Sequence, residues 1–331
     1  MITNKSAKNF CFVWFCRRTP IIATLVIVAL FPFPANAFDI FFGTGETGTI
    51  SHFAGRTLCR IINRQTNDIS CRAVPTPDAV YNLTNLQSGS LDIGLVDSRM
   101  LHDAVNKTGA FEFLDISYDN LRALTPIYDV PVTLVVRRDA DIDSLEALQG
   151  KRINMGAPGS PQYFAVATIM KAKNWTKENF SLAQELPASQ SQDTMAFCQG
   201  AIQALVHIGV HPDSALQRLF KLCKADLVDM IDSDIEKLVQ DHPAFLKISI
   251  ARGTYPSHPK GVTTFGTRAI LVASGDLPEQ TVYKIIEAID SDPKYLKRAH
   301  PALSSFTVDA AKKHDTGIQL HPGAEKYFLE H

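Results

Sequence analysis

The sequence predicts an α/β fold of two lobes joined by two extended crossings. Three observations carry this expectation. Residues 38–96 alternate short apolar strands with helical periodicity in β-α-β-α-β order, and the short connections imply a parallel sheet. A second β-α unit begins at 153–156. Around it, 122–127, 131–137, 245–250 and 262–272 are extended and apolar, as strands that leave one lobe and return to it would be.

The elements follow in order. Residues 38–42 form a strand and 43–49 a Gly- and Thr-rich loop. Phe53, Leu58, Ile61 and Ile62 have helical spacing and predict a helix over 51–63. Residues 69–74 are a second strand, closed by Pro75 and Pro77. Asp78 stands where a helix N-cap would, and Ser88-Gly89 ends that helix. Residues 91–96 are a third strand. Further on, 162–173 is helical, 182–186 a strand, 193–199 helical and 204–208 a strand, with Pro212 opening another helix. The tail from Pro278 is mostly helical with a break near 290–293.

The N-terminus reads as a secretory signal peptide over 1–37. Lys5, Lys8, Arg17 and Arg18 precede an apolar run at 21–33, and Ala35-Asn36-Ala37 is a small-x-small cleavage site. The run is shorter than the ~20 residues of a membrane span. Lobe 1 is expected over 38–125 plus 262–331 and lobe 2, with the crossings, over 126–261. The full chain has 33 basic and 34 acidic residues. Removing the four basic residues of the leader, which has no acid, leaves a formal charge of −5. That balance argues against nucleic acid and anionic membrane surfaces as partners.

Four cysteines remain after the leader: Cys59, Cys71, Cys198 and Cys223. They allow three connectivities. The local pairs Cys59–Cys71 and Cys198–Cys223 are preferred because each falls within one lobe; buried free thiols are the alternative.

Ligands of open α/β sheets sit at the carboxyl ends of strands. Here those ends are 43–49, 76–78, 97–98, 156–160 and 208–211, all rich in small or hydroxyl residues. Gly43-x-Gly45-x-x-Gly48 has the form of a dinucleotide fingerprint, but Asp68 precedes the second strand instead of ending it, which leaves no acid for a ribose. A Gly-rich turn at a helix N-terminus still offers N–H groups to an anion. Gly156 to Ser160 is a second such turn, so the two together suggest an anion clamp. His207 and His211 are four apart, yet Gly209 and Pro212 break the helix a metal pair would need. No Gly-x-Ser-x-Gly occurs, and neither a metal nor a cofactor is expected.

From residue 38 on, the chain resembles the TAXI family of solute-binding receptors of TRAP transporters. The resemblance rests on Gly43-Thr-Gly-Glu-Thr-Gly-Thr49, Asn82-Leu-x-x-Leu-x-Ser-Gly-x-x-Asp92, Asp143-Ser-Leu-x-x-Leu-x-Gly-Lys151, Gly156-x-Pro-Gly-Ser160, Gly253-Thr-Tyr-Pro256 and Leu320-His-Pro-Gly-Ala324-x-x-Tyr327. It implies a two-lobed periplasmic binding protein fold. It also implies a small organic acid ligand, glutamate-like or a dicarboxylate, delivered to TRAP membrane permease subunits by a monomeric periplasmic receptor. The sequence departs from the family at Ile50-Ser51-His52 and Pro77-Asp78-Ala79, which leaves the ligand open. The ligand-binding residues expected are Thr44, Thr47, Gly48, Thr49, Ser51, Thr76 and Asn82 from the first lobe. From the second, with its crossings, they are Tyr128, Gly156, Gly159, Ser160 and Tyr163. Arg99 and Arg252 are candidate charges. A periplasmic sensor that keeps the fold without transport is the alternative reading; a hydrolase or transferase lacks any convergent nucleophile and base.

Overall fold

A computed structural model describes residues 37–187, 191–256, 260–313 and 316–331. The signal peptide expected over 1–37 lies outside them, apart from Ala37. Residues from Ala37 to His331 form one compact unit.

The first elements are β1 (Phe38–Gly43), α1 (Ile50–Gln65), β2 (Ile69–Val74), α2 (Ala79–Gln87), β3 (Ile93–Asp97) and α3 (Ser98–Asn106). The long β4 (Leu121–Arg137) leads to β5 (Arg152–Asn154), α4 (Pro161–Lys173), β6 (Leu182–Gln184) and α5 (Ser191–Cys198). Then come β7 (Ala204–Ile208), α6 (Ser214–Leu222), β8 (Ala225–Val228), α7 (Ser233–Asp241) and β9 (Leu246–Ile250). The chain ends with β10 (Val262–Ser274), α8 (Glu279–Ser291), α9 (Pro293–Ala299), α10 (Ala310–Lys313) and α11 (Pro322–Glu330).

One mixed sheet runs β2-β1-β3-β10-β4-β7-β5-β6, with β8 on β4 and β9 on β10. β1 is parallel to β2 and β3, as the β-α-β-α-β order requires, and β5 is parallel to β6 and β7. Among the described strands, only β4 and β10 belong to both halves. They pair antiparallel from Pro131/Gly266 to Leu121/Ser274. Beyond that point β4 turns to β7 and β8, and the start of β10 turns to β9. Gly266 makes the crossing possible: a Cβ there would overlap the Val130 carbonyl oxygen and come 2.9 Å from the Pro131 Cα. The Thr264 hydroxyl ties the strands again by donating to the Val132 carbonyl.

Each half of the sheet is covered on both faces. In the first half, Leu58, Ile61 and Ile62 of α1 pack with Ile40, Phe42 and helices α8 and α11, while Leu83, Leu86 and Leu101 fill the opposite face. In the second half, one cluster joins Leu134 and Val206 of the sheet to Ile169 and Ile235, and the other joins Val135 to Phe197, Leu219 and Tyr255. Cys59 is bonded to Cys71 and Cys198 to Cys223, with Cα separations of 5.0 and 4.7 Å. No helix of the described residues is long and apolar enough to cross a membrane.

Several elements differ from expectation. The segments expected at 122–127 and 131–137 are one strand, because shifts of register at Ala269/Ile270 and Leu271/Val272 absorb the irregularity around Pro126. The helix expected to open at Pro212 starts at Ser214, with Asp213 capping Leu216 N–H. Helix α3 and strand β8 have no counterpart among the elements expected from sequence.

Candidate functional site

A cleft of about 550 Å³ opens between the two halves, at the carboxyl ends of β3 and β7 and beside the crossing strands. Helices α1, α2 and α3 point their N-termini toward it from one side, contributing Ser51, Asp78 and Arg99 to the lining. Helix α4 closes the other side with Gly159, Pro161 and Phe164.

The first wall carries most of the cleft's polar side chains, set among Ile50, Val80, Leu95, Val96 and Met100, and those polar groups are engaged with one another or with helix ends. The Ser51 and Tyr128 hydroxyls lie 2.8 Å apart in a shared hydrogen bond. Asp78 accepts from Tyr81 N–H at 2.7 Å, and Asp97 accepts from Arg99 N–H at 2.9 Å, so each carboxylate caps a helix. The Thr267 hydroxyl donates to the other Asp97 oxygen. Burial pushes the Asp97 pKa up, against the pull of the Thr267 hydrogen bond and the Arg99 charge. Burial likewise raises the Tyr128 phenol. Arg99 pairs with Asp103 at 2.7 Å and stacks 5.2 Å from the centre of the Phe164 ring across the cleft. Helix α3 touches the second half twice more. Ser98 Oγ donates to the Ala244 carbonyl at 2.7 Å, and the His102 and His242 rings lie 4.4 Å apart.

The second wall is apolar. Val132, Phe164, Ile208, Val210, Phe245 and Phe265 form most of it. Its one side-chain hydroxyl among the described residues, Thr168, donates to the Phe164 carbonyl of its own helix.

Of the residues expected at the site, Ser51, Tyr128 and Gly159 line this cleft. Others stand outside the lining. Thr44 is buried and bonds His52 and the Val74 carbonyl. Thr49 caps α1 and donates to the Glu46 carbonyl. Asn82 ties α2 to the Thr44 and Leu95 carbonyls. Thr76 Oγ1 and Asn82 Oδ1 are buried without a hydrogen-bond partner among the described residues. Ser160 caps α4 through Tyr163 N–H. Gly156 has φ 85° and packs on Gln162, while Tyr163 packs on the second-half core. Thr47, Gly48 and Arg252 are exposed and outside the lining. Arg99, expected only as a candidate charge, is the one cation of the lining among the described residues. Sequence reasoning missed Asp97 as a side chain of the site and the aromatics Phe164, Phe245 and Phe265. The signal for Phe164 was its place next to Tyr163 at the start of α4, on a different face.

Two other features resemble sites. A cavity of about 650 Å³ lies among Arg56, Arg60 and Arg64 of α1 and Ala73 and Pro75 at the end of β2, and shares no lining residue with the cleft. Glu146, Asp232 and Asp234 form an acidic cluster, but the Lys173 ammonium occupies its centre. Burial alone would lower the Lys173 pKa; hydrogen bonds to Asp234, Glu146 and Asp232 outweigh it and hold the pKa above its ordinary value.

The sequence pattern of the NMT1-like family matches residues 42–331. The chain belongs to that family. This NMT1-like chain is also similar in fold to a TctC solute binding protein from Polaromonas, with a TM-score of 0.53 at 13% identity, over 81% of this chain and 89% of that one. A probable amino-acid ABC transporter extracellular-binding protein, ytmK from Bacillus subtilis, gives a TM-score of 0.51 at 11% identity, over 82% and 99%. At such identities the likeness is one of fold, and the fold is that of binding proteins. Both solved proteins are named as binding proteins, not enzymes.

Proposed function

We propose that this NMT1-like protein is an extracytoplasmic solute receptor of the TAXI type, exported to the periplasm. Its lobes, 38–125 plus 262–331 and 126–261, close on a small organic acid, and the closed, monomeric form presents the ligand to a TRAP-type permease. The observation that carries this reading is the cleft at the strand ends, spanned by two crossing strands. A ligand bridging both walls binds the closed form better and so shifts the population toward it. Ser51, Tyr128, Gly159 and Arg99 are the residues proposed to touch it. Thr76 and Asn82 support them from behind, and Thr49 and Ser160 do so by capping α1 and α4.

A thermal-shift screen against organic acids, glutamate and dicarboxylates included, followed by small-angle scattering, tests the proposal. A stabilising acid that also reduces the radius of gyration is the expected result. No stabilisation by any acid would refute it. Binding without any dependence of solute uptake on the protein would favour a sensor.

A further inference from the structure

We infer that the cleft selects an acid with one carboxylate and an apolar body, an aryl or branched alkyl monocarboxylate, over glutamate and dicarboxylates. This rests on the receptor reading above and narrows its ligand class.

The charges decide how many carboxylates the cleft can hold. Two acids and one base line it: Asp78, Asp97 and Arg99. Arg99 already pairs with Asp103, whose carboxylate lies just behind it. Two of the four helix N-termini at the cleft are closed by the protein's own acids, Asp78 on α2 and Asp97 on α3, while α1 and α4, capped by the hydroxyls of Thr49 and Ser160, keep only a partial dipole charge to offer an anion. A second ligand carboxylate would therefore be desolvated beside two acids with no further cation of the lining to receive it.

The hydroxyls do not make up the deficit. Ser51 and Tyr128 share one hydrogen bond, which leaves a single neutral O–H between them to donate, while Thr267 is bonded to Asp97 and Thr168 to its own helix. One guanidinium remains, and it can share its fork between Asp103 and a single carboxylate.

The opposite wall sets the rest of the ligand. Val132, Ile208, Val210, Phe245 and Phe265 offer apolar contact, and Phe164 stacks beneath Arg99. A ring or branched chain laid on this wall leaves water while its carboxylate reaches Arg99 on the other. A C4 or C5 dicarboxylate would desolvate both its ends and leave the apolar wall uncovered.

Isothermal titration at about 0.15 M ionic strength, with 3-phenylpropanoate, 4-methylpentanoate, succinate and glutamate as titrants, tests the inference. The two monocarboxylates should bind at least about tenfold more tightly than the other two, the effect of burying one large apolar side chain. Phe164→Ala should weaken 3-phenylpropanoate about tenfold and succinate, which meets that ring only through Arg99, by clearly less. Phe164 is 40% exposed, so its truncation leaves the core intact. A comparison that needs no variant is 3-phenylpropan-1-ol, which should bind about tenfold more weakly than the acid if one carboxylate is held. Succinate or glutamate binding as tightly as the monocarboxylates would overturn the ligand class and leave the receptor reading standing. No heat with any of the four, together with a blank acid screen, would overturn both.

Discussion

The two walls of the cleft are built by the same strand-turn-helix construction, yet they offer a ligand different chemistry. On the first wall, α2 and α3 are capped by Asp78 and Asp97. On the second, α4 is capped by the hydroxyl of Ser160 and turns Phe164 toward the cleft. A small-residue turn at a helix N-terminus is therefore not by itself an anion holder. The capping side chain decides. A carboxylate cap satisfies the free N–H groups and cancels the dipole's pull. A hydroxyl cap satisfies the N–H groups and leaves the dipole.

The largest effect should come where the walls are joined. Gly266→Val would drive a side chain into the Val130 carbonyl and should destabilise the protein by about 3 kcal/mol or more in urea unfolding. A variant as stable as the wild type would show that β4 and β10 can separate freely at their crossing.

The disulfides allow a comparison of the halves. Cys59–Cys71 closes a separation of 12 residues in the first half and Cys198–Cys223 one of 25 in the second. In the loop-entropy model each contributes ~3 kcal/mol, the longer loop more by ~0.6 kcal/mol. Serine pairs at each bridge, compared by urea midpoint, should rank in that order. The reverse order would mean that native-state geometry outweighs loop length.

The second half also carries a distinct pH response. His211 is bonded through its two ring nitrogens to Tyr255 and Thr133, and burial, with His207 beside it, lowers its pKa to about 4. In an unfolded chain a histidine titrates near ~6.5. The unfolded state therefore takes the proton first as the pH falls, and stability present above about pH 6.5 is lost toward pH 4. The loss amounts to ~3 kcal/mol. Asp193, raised to about 6 by burial against the Asn154 hydrogen bond, works the other way. Its contribution is present at low pH and fades as the pH rises through about 6. The His211 part is isolated by subtracting the stability profile of His211→Asn from that of the wild type. The difference should rise by ~3 kcal/mol from about pH 4 to 6.5, and a flat difference would remove His211 as its source.

The smallest effects concern the caps. Ser160→Ala should cost ~1 kcal/mol of stability by uncapping α4, measured by thermal or urea unfolding. Asp78→Asn keeps a capping oxygen and removes a charge from the first wall. It should hold stability within about 0.5 kcal/mol and strengthen binding of a carboxylate ligand severalfold. Weaker binding would reverse the proposed role of the charge.

Much of the fold was legible because its signals are local. The periodicity of Leu58, Ile61 and Ile62, the N-cap at Asp78 and the Gly156 to Ser160 turn each specify an element without reference to the rest of the chain. Helix α3 was missed: it follows β3 without a loop, and its buried face is only Ser98, Leu101 and Ala104 over nine residues, a short stripe beside a strong strand signal. That omission hid Asp97 as its cap and the contacts from Ser98 and His102 to the second half. Strand β8, Ala225–Val228, is too short to read alone and forms against β4, distant in sequence. The aromatic wall was hidden for a similar reason. Phe164, Phe245 and Phe265 come from α4, the segment before β9, and β10, and only the folded sheet brings them to one surface.

If the ligand lies in the cleft between the unlike walls, filling that cleft must expel it, and Thr168→Trp does so. Thr168 lines the cleft one helical turn beyond Phe164, and a tryptophan there fills the space without entering the core. With the tightest acid from the screen, titration calorimetry should show affinity reduced by at least about tenfold, with the melting temperature of the unliganded protein unchanged. Undiminished affinity in that variant would place the ligand elsewhere.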